Sequence, residues 1–269
     1  MPALWLTAFF LVPLGFTFVF SFGRSTFGGV EPVFTLDNYS TALTGFYAAT
    51  LVRTLIFSAT ASTVCVFVAY PAAYFIARRT RRRRLLAIVL ILVPYFSSFL
   101  IRVMSLHMML SRHGFTEKAL NTLGLHQGPL DVLDTPAAVC IGMVYAYLPI
   151  AIVPLFVVLD RIPRELIEAS LDLGASRWRT FLFVTLPLSR PGLATAMLLT
   201  AVPMLGEMVI PTLLGGGRGV LMGQAIAAQY LESQNYPLGA AMAMLVLAAV
   251  AGIVAVLARI TAAFAEVGG

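Results

Sequence analysis

Six stretches of the chain are apolar for long enough to cross a bilayer: residues 3–21, 54–77, 85–101, 136–159, 191–214 and 238–258. About 20 apolar residues span the hydrocarbon core, so each predicts one transmembrane helix, crossing with some tilt. The segments between them are rich in arginine or in turn-forming residues. The expectation is an all-α integral membrane protein, one transmembrane domain of six helices over 1–269. The first stretch lacks a basic lead and a small-residue cleavage site, and so reads as a helix and not as a signal peptide.

Composition agrees with the pattern. Hydrophobic residues are 59% of the chain and charged residues 11%, against roughly a quarter charged in soluble domains; the mean hydropathy is +0.91. The net charge of +6 raises the question of nucleic acid, but the basic residues sit between apolar segments, where a topology signal is the economical reading. One set of loops carries twelve arginines: Arg78, Arg79, Arg81 to Arg84, Arg161, Arg164, Arg177, Arg179, Arg190 and Arg259. The other side carries six basic residues, Arg24, Arg53, Arg102, Arg112, Lys118 and Arg218. The positive-inside rule places the 78–84 loop, the 160–190 loop and both termini in the cytoplasm. There the arginine run also attracts anionic lipid head groups. Cys65 and Cys140 both lie in apolar runs and suggest neither a disulfide framework nor a zinc site.

Three segments remain outside: 22–50, 102–135 and 215–237. Gly28-Gly29 and His126-Gln127-Gly128-Pro129 mark turns in the first two. Phe115 to Leu123 reads as a short surface helix with Thr116 as its cap.

The most patterned polar region is 160–190. Asp160 is placed to cap a helix with Pro163 in its first turn, and Glu165, Glu168 and Asp172 follow on one face. Gly174 stops that helix. Ser176 then caps a second, on which Trp178, Phe181, Leu182 and Thr185 form an apolar stripe beside Arg177 and Arg179. Pro187 ends it, and Pro191-Gly192 opens the fifth span. Such a hairpin is built either to dock another protein or to lie on the membrane surface; periodicity alone does not separate the two.

The same residues resemble a known family. Glu168-Ala169-Ser170, Gly174, Leu186-Pro187 and Pro191-Gly192 are similar to the EAA loop of permease subunits of binding-protein-dependent ABC importers. Ser170 stands where a second alanine is usual, and both are small. Tyr70-Pro71-Ala72-Ala73-Tyr74-Phe75-Ile76-Ala77-Arg78, Ser97-Ser98-Phe99-Leu100-Ile101-Arg102, Tyr145-Ala146-Tyr147-Leu148-Pro149, Leu205-Gly206-Glu207-Met208-Val209-Ile210-Pro211 and Leu214-Gly215-Gly216 resemble the spermidine/putrescine branch. The resemblance implies a type I ABC importer permease fold of six helices, with the spans from the second onward as its core. It implies a multi-pass protein of a bacterial cytoplasmic membrane, with both termini inside. Its partners would be an ATPase dimer, a second and different permease subunit, and an extracytoplasmic substrate-binding protein. The cytoplasmic loop would be the coupling helix, with Glu165, Glu168, Ala169, Ser170, Asp172, Gly174, Ala175 and Arg177 facing the ATPase. Iron, opines, other amino-acid derivatives and oxyanions are the alternative cargoes within the class.

No cofactor is expected on this chain. A P-loop needs GxxxxGK[ST], and the only lysine is Lys118, between Glu117 and Ala119. ATP and magnesium would be used by a partner ATPase. An intramembrane protease would need a serine and histidine pair, paired aspartates or HExxH, and none is present. A static scaffold is the remaining class, and it accounts for neither the patterned loop nor the interrupted fifth span.

That interruption holds Glu207, the one carboxylate deep in a predicted span, between Pro203 and Pro211. A charge at the bilayer centre costs about 2.5–3.5 kcal/mol on insertion scales, so Glu207 should face inward and be paired. Two readings fit. It lines the translocation path and holds a cation, or it accepts hydrogen bonds from amides freed at the break or pairs with an arginine such as Arg102. Tyr95, Tyr145 and Tyr147 are cation-π candidates along the path, each also explicable as an interfacial or packing tyrosine. Gly239-Ala240-Ala241 and Ala248-Ala249 with Gly252 suit close helix packing, and Met104, Met108 and Met109 suit adaptable packing and not a metal site.

Overall fold

The computed structural model describes residues 5, 7–26, 29–125, 128–217 and 220–266. The turn assigned to Gly28, the residues His126 and Gln127, and the external Arg218 lie outside the described residues. Helix α1 (Thr7–Phe20) opens with a π-turn and is followed by a hairpin of β1 (Arg24–Thr26) and β2 (Gly29–Glu31), antiparallel with Ser25 opposite Val30. Then come α2 (Asp37–Ala42), α3 (Gly45–Ala77), α4 (Arg81–Tyr95), α5 (Phe99–Leu110), α6 (Phe115–Thr122) and α7 (Pro136–Arg161). The patterned loop 160–190 forms α8 (Arg164–Asp172) and α9 (Arg177–Leu188). The chain closes with α10 (Arg190–Leu205), α11 (Val209–Leu214), α12 (Met222–Leu231) and α13 (Tyr236–Glu266).

Helices α3, α7 and α10 pack on one another and make the centre of the molecule. Their contact is built from small residues, Ala61, Ala69, Ala73, Ala146, Ala151 and Ala196, all fully or almost fully buried. Without a hydrophobic drive between helices in lipid, small side chains let backbones approach closely enough for dispersion to hold them. At Gly142 on α7 a Cβ would meet Ile210 on α11 at 2.8 Å. Gly239, Ala240 and Ala241 are used in the same way on α13, where a Cβ on Gly239 would meet Tyr230 at 2.8 Å. Gly252 is not: nothing stands within 4 Å of its Cβ position and Ala248 is exposed. Met104, Met108 and Met109 are likewise exposed in the single chain. Helix α1 buries none of its described residues and leans on α13, while α2 already sends Ala42 into the core beside Met222 and Met242.

Among the described residues, three helices are long and apolar enough to cross a membrane unbroken, within Gly45–Ala77, Pro136–Arg161 and Tyr236–Val256. The number is five if each of two bent pairs is taken as a single span. Three boundaries differ from the hydropathy reading. The second span starts at Gly45 and not at 54, because Thr50, Thr54 and Ser58 are turned into the protein and buried. Thr50 and Thr54 donate to the carbonyls of Phe46 and Thr50 at 2.8 Å, which hides their polarity inside the helix. The third span does not run straight from 85 to 101. It breaks at Phe96-Ser97-Ser98 and turns by 88° into α5 and α6; Pro94 begins the break and Ser97 Oγ closes on the Pro94 carbonyl at 2.6 Å. The segment 215–237 contains α12, which folds back against the break in the fifth span.

In the segment after α5, Thr116 is not the cap of α6. Gly114 occupies that position with extended backbone, and Glu117 does the binding, accepting from the amides of His113 at 3.1 Å and Leu130 at 2.9 Å. Those two bonds, that to Leu130 foremost, hold the Glu117 carboxyl below the usual carboxylate range.

Candidate functional site: the projecting hairpin and the broken helix

The hairpin between α7 and α10 stands clear of the bundle. Asp160 does not cap it. Ile162 is extended ahead of Pro163, as the residue before a proline prefers, so α7 ends at Arg161 and α8 starts at Arg164. The Asp160 carboxylate is ion-paired with Arg84 instead. Gly174 has φ +84°, and the amides of Gly174 and Ala175 return to the carbonyls of Leu171 and Ser170 at 2.9 and 3.1 Å. A side chain there would meet the left-handed penalty that glycine escapes. Ser176 Oγ then accepts from the Arg179 amide at 3.3 Å and starts α9 as expected.

Pro187 does not end α9. The preceding turn, Phe181–Thr185, is a π-turn, and the wider coil accommodates both the proline ring and its missing donor. The chain bends instead at Ser189, by 63° into α10, and Pro191 takes the first turn of α10.

Anchoring and presentation are divided between the two limbs. Phe181 lies edge-on to Tyr70 and Tyr74 of α3, with ring centroids 5.7 and 6.0 Å away, and stacks with Trp178 at 5.5 Å. Tyr70 Oη shares a buried 2.8 Å hydrogen bond with Ser189 Oγ. Ser170 Oγ and Thr180 Oγ1, 3.0 Å apart, tie α8 to α9. Of the coupling candidates, Glu165, Glu168, Ala169, Asp172, Gly174 and Arg177 are exposed; Ser170 and Ala175 are half-buried and stabilise the turn. Beside the acidic residues the hairpin also exposes Leu173 at 89% and Trp178 at 67%. Acidic groups and bare apolar side chains thus share the exposed face of the hairpin. Sequence reasoning missed the anchor formed by Tyr70 and Ser189; the tyrosine before Pro71 was visible, but nothing along the chain pairs it with a serine 119 positions away.

In the fifth span the helix stops at Leu205 and restarts at Val209. Glu207, 8% exposed, fills the gap: Oε1 accepts from the amides of Val209 and Ile210 at 2.8 and 3.3 Å, and Oε2 from Tyr147 Oη at 2.6 Å. Hydrogen bonds to a charged acceptor contribute about 1.5–3 kcal/mol each, so three together offset the insertion cost of about 2.5–3.5 kcal/mol without a counter-cation. Arg102 is not the partner. Its guanidinium lies over the Tyr95 ring at 4.7 Å and reaches Phe99 at 5.9 Å, and its Nε is buried with no hydrogen-bond acceptor among the described residues. The structure therefore joins Tyr147 to Glu207 and Tyr95 to Arg102. Tyr145, two residues and about 200° round the helix from Tyr147, is 46% exposed on the outer side of α7. Helix α12 braces the gap: a Cβ on Gly223 would stand 2.6 and 2.7 Å from the carbonyl oxygens of Gly206 and Glu207.

A helical membrane core, a helix broken around a buried carboxylate, and an anchored hairpin with an exposed acidic and apolar face together mark a transporter permease. Residues 66–266 match the family described as "Binding-protein-dependent transport system inner membrane component". The chain belongs to that family and is a multi-pass inner-membrane permease component, not an enzyme. It is 35% identical over 241 residues to the spermidine/putrescine transport system permease protein PotB of Escherichia coli (strain K12), covering 88% of this chain and 86% of that one. The PotB of Haemophilus influenzae is 32% identical over 244 residues, covering 89% and 84%. The fold matches the crystal structure of a bacterial ABC transporter involved in the import of the acidic polysaccharide alginate, at TM-score 0.71 and 18% identity over 97% of this chain and 93% of that one.

Proposed function

We propose that this chain is one of two different transmembrane subunits of an ATP-driven importer for a linear polyamine of the spermidine/putrescine class. The observation that carries the reading is the 35% identity to a spermidine/putrescine permease across 88% of the chain. An ATPase dimer docks on the exposed face of α8, around Glu165, Glu168, Ala169 and Asp172, and uses ATP and magnesium that this chain does not bind. The arginine-rich loops and both termini face the cytoplasm, and an extracytoplasmic binding protein delivers the polyamine to the opposite side. Nucleotide-driven motion of the ATPase tilts the hairpin, and the tie between Tyr70 and Ser189 passes that tilt to α3 and α10. This is a two-state equilibrium biased by a bound subunit.

Within the path, Glu207 fixes the geometry of the break. Three donors already engage it, so its attraction for a passing ammonium is moderate, which suits a carrier that must release its cargo. The Tyr95 ring is already covered by Arg102, so the aromatic face of Tyr147 supplies the remaining contact, worth roughly 0.5–2 kcal/mol. The test is uptake of radiolabelled putrescine and spermidine by proteoliposomes holding the copurified complex, its binding protein and ATP with magnesium on the ATPase side. Saturable, ATP-dependent accumulation is expected. ATP-dependent uptake of a different solute alone would overturn the substrate, and a complex without an ATPase would overturn the class.

A further inference from the structure

Between the start of α4 and the end of α7 lies a cleft of about 830 Å³ with two chemically different ends. One end is lined by Arg79, Arg82, Arg84 and Arg164, with Asp160 as its one carboxylate. The other is walled by Leu85, Ile88 and Phe156 on the flanks of the two helices. Arg84 is committed: it pairs with Asp160, and its Nε donates to the Arg79 carbonyl at 2.6 Å. Arg79 is preoriented, its guanidinium lying 4.0 Å above the Phe75 ring. Arg82 and Arg164 are exposed. Among the residues lining the cleft, subtracting the one carboxylate from four guanidiniums leaves an excess of three positive charges. They also crowd the beginning of α4, the end of a helix where positive side chains are disfavoured and anions favoured.

We infer that this cleft is a binding site for an anionic phospholipid, its phosphate between Arg79, Arg82 and Arg164 and the start of its acyl chains against Leu85, Ile88 and Phe156. Charge complementarity requires an anion, and the apolar wall running down two membrane helices requires one with a hydrocarbon tail, which a soluble phosphate lacks. The lining does not include the broken helix, and of α8 it takes Arg164 alone. Arg164 is the first residue of α8, so a lipid held there also fixes the root of the hairpin.

The complex purified in mild detergent should retain phosphatidylglycerol or cardiolipin in native mass spectrometry while phosphatidylethanolamine is stripped. Arg82→Gln and Arg164→Gln change exposed side chains, and each should lower retained anionic lipid about fivefold, the fold-change given by about 1 kcal/mol per basic residue at a membrane surface. Arg83→Gln, an exposed arginine outside the cleft, should leave retention unchanged, and size-exclusion profiles show that all three remain folded. Equal losses for all three variants would reduce the effect to general surface charge and overturn the site. Displacement of the lipid by millimolar inorganic phosphate, or no retained lipid in the wild-type complex, would overturn it as well. None of these readouts depends on which solute is transported.

Discussion

The Tyr147 hydroxyl donates to Glu207 Oε2 at 2.6 Å, joining two helices across 60 positions of sequence at the point where the fifth span is broken. One carboxylate thereby closes the gap in its own helix and fastens it to a neighbour. Tyr147→Phe removes one charge-assisted bond, a loss of about 1.5–3 kcal/mol, while Glu207→Ala also orphans two buried amides. The thermal inactivation midpoint of the purified complex should fall in the order wild type, Tyr147→Phe, Glu207→Ala, with Glu207→Gln near Tyr147→Phe because its carbonyl still accepts from Val209 and Ile210. Equal midpoints would mean that the network contributes nothing to holding the break.

Gly174 turns the hairpin at φ +84°. Gly174→Val places a β-branched side chain in that region at about 1–2 kcal/mol of strain, and the loop relieves it by changing the angle between α8 and α9. The subunit should reach the membrane in normal amount while ATP-driven uptake is lost. Normal uptake would remove the turn from the coupling element.

Glu168 is exposed on α8, so Glu168→Lys disturbs no internal contact of the hairpin's anchor. On a docking face, reversing the charge should weaken ATPase association by about 2 kcal/mol or more, visible as loss of the ATPase from the copurified complex. Unchanged stoichiometry would move the contact elsewhere.

Gly223 admits no side chain next to the Gly206 and Glu207 carbonyls. Gly223→Ala should destabilise by about 1–3 kcal/mol through overpacking, read as a lower inactivation midpoint, and Gly252→Ala, with open space around it, should not. A neutral Gly223→Ala would show that α12 yields at this contact.

Glu117 tests the segment between α5 and α7 by pH. Its carboxyl is held low by the amides of Leu130 and His113, so the stabilisation is present above its ordinary value and is lost as pH falls through the lowered one. Protection of the Leu130 amide against hydrogen exchange, corrected for intrinsic rate, should be steady at neutral pH and collapse in acid below about pH 4.5. Glu117→Gln should flatten that dependence, and an unaltered acid collapse in the variant would assign it to another group.

Hydropathy located the helices that lipid or protein surrounds on all sides, such as α7, within a residue or two, because length and apolarity are local properties. It misplaced the start of α3, where Thr50 and Thr54 are polar in sequence yet satisfied within the helix and Ser58 is buried beside them, and it read a bent pair as one straight span where Pro94 and two serines permit a turn of 88°. The hairpin was legible for the same local reason: Gly174 and Ser176 act on neighbouring backbone.

What the chain determined by itself was therefore a membrane protein with a helix broken at Glu207 and a patterned hairpin, since each follows from residues within a few positions of one another. Only the tertiary structure decided who answers whom. It gave Glu207 to Tyr147 and not to Arg102, laid Arg102 over Tyr95, and bound Tyr70 to Ser189. A hydrogen bond is decided by distance and direction between atoms, and across a bundle packed on small side chains those are set by how the helices meet.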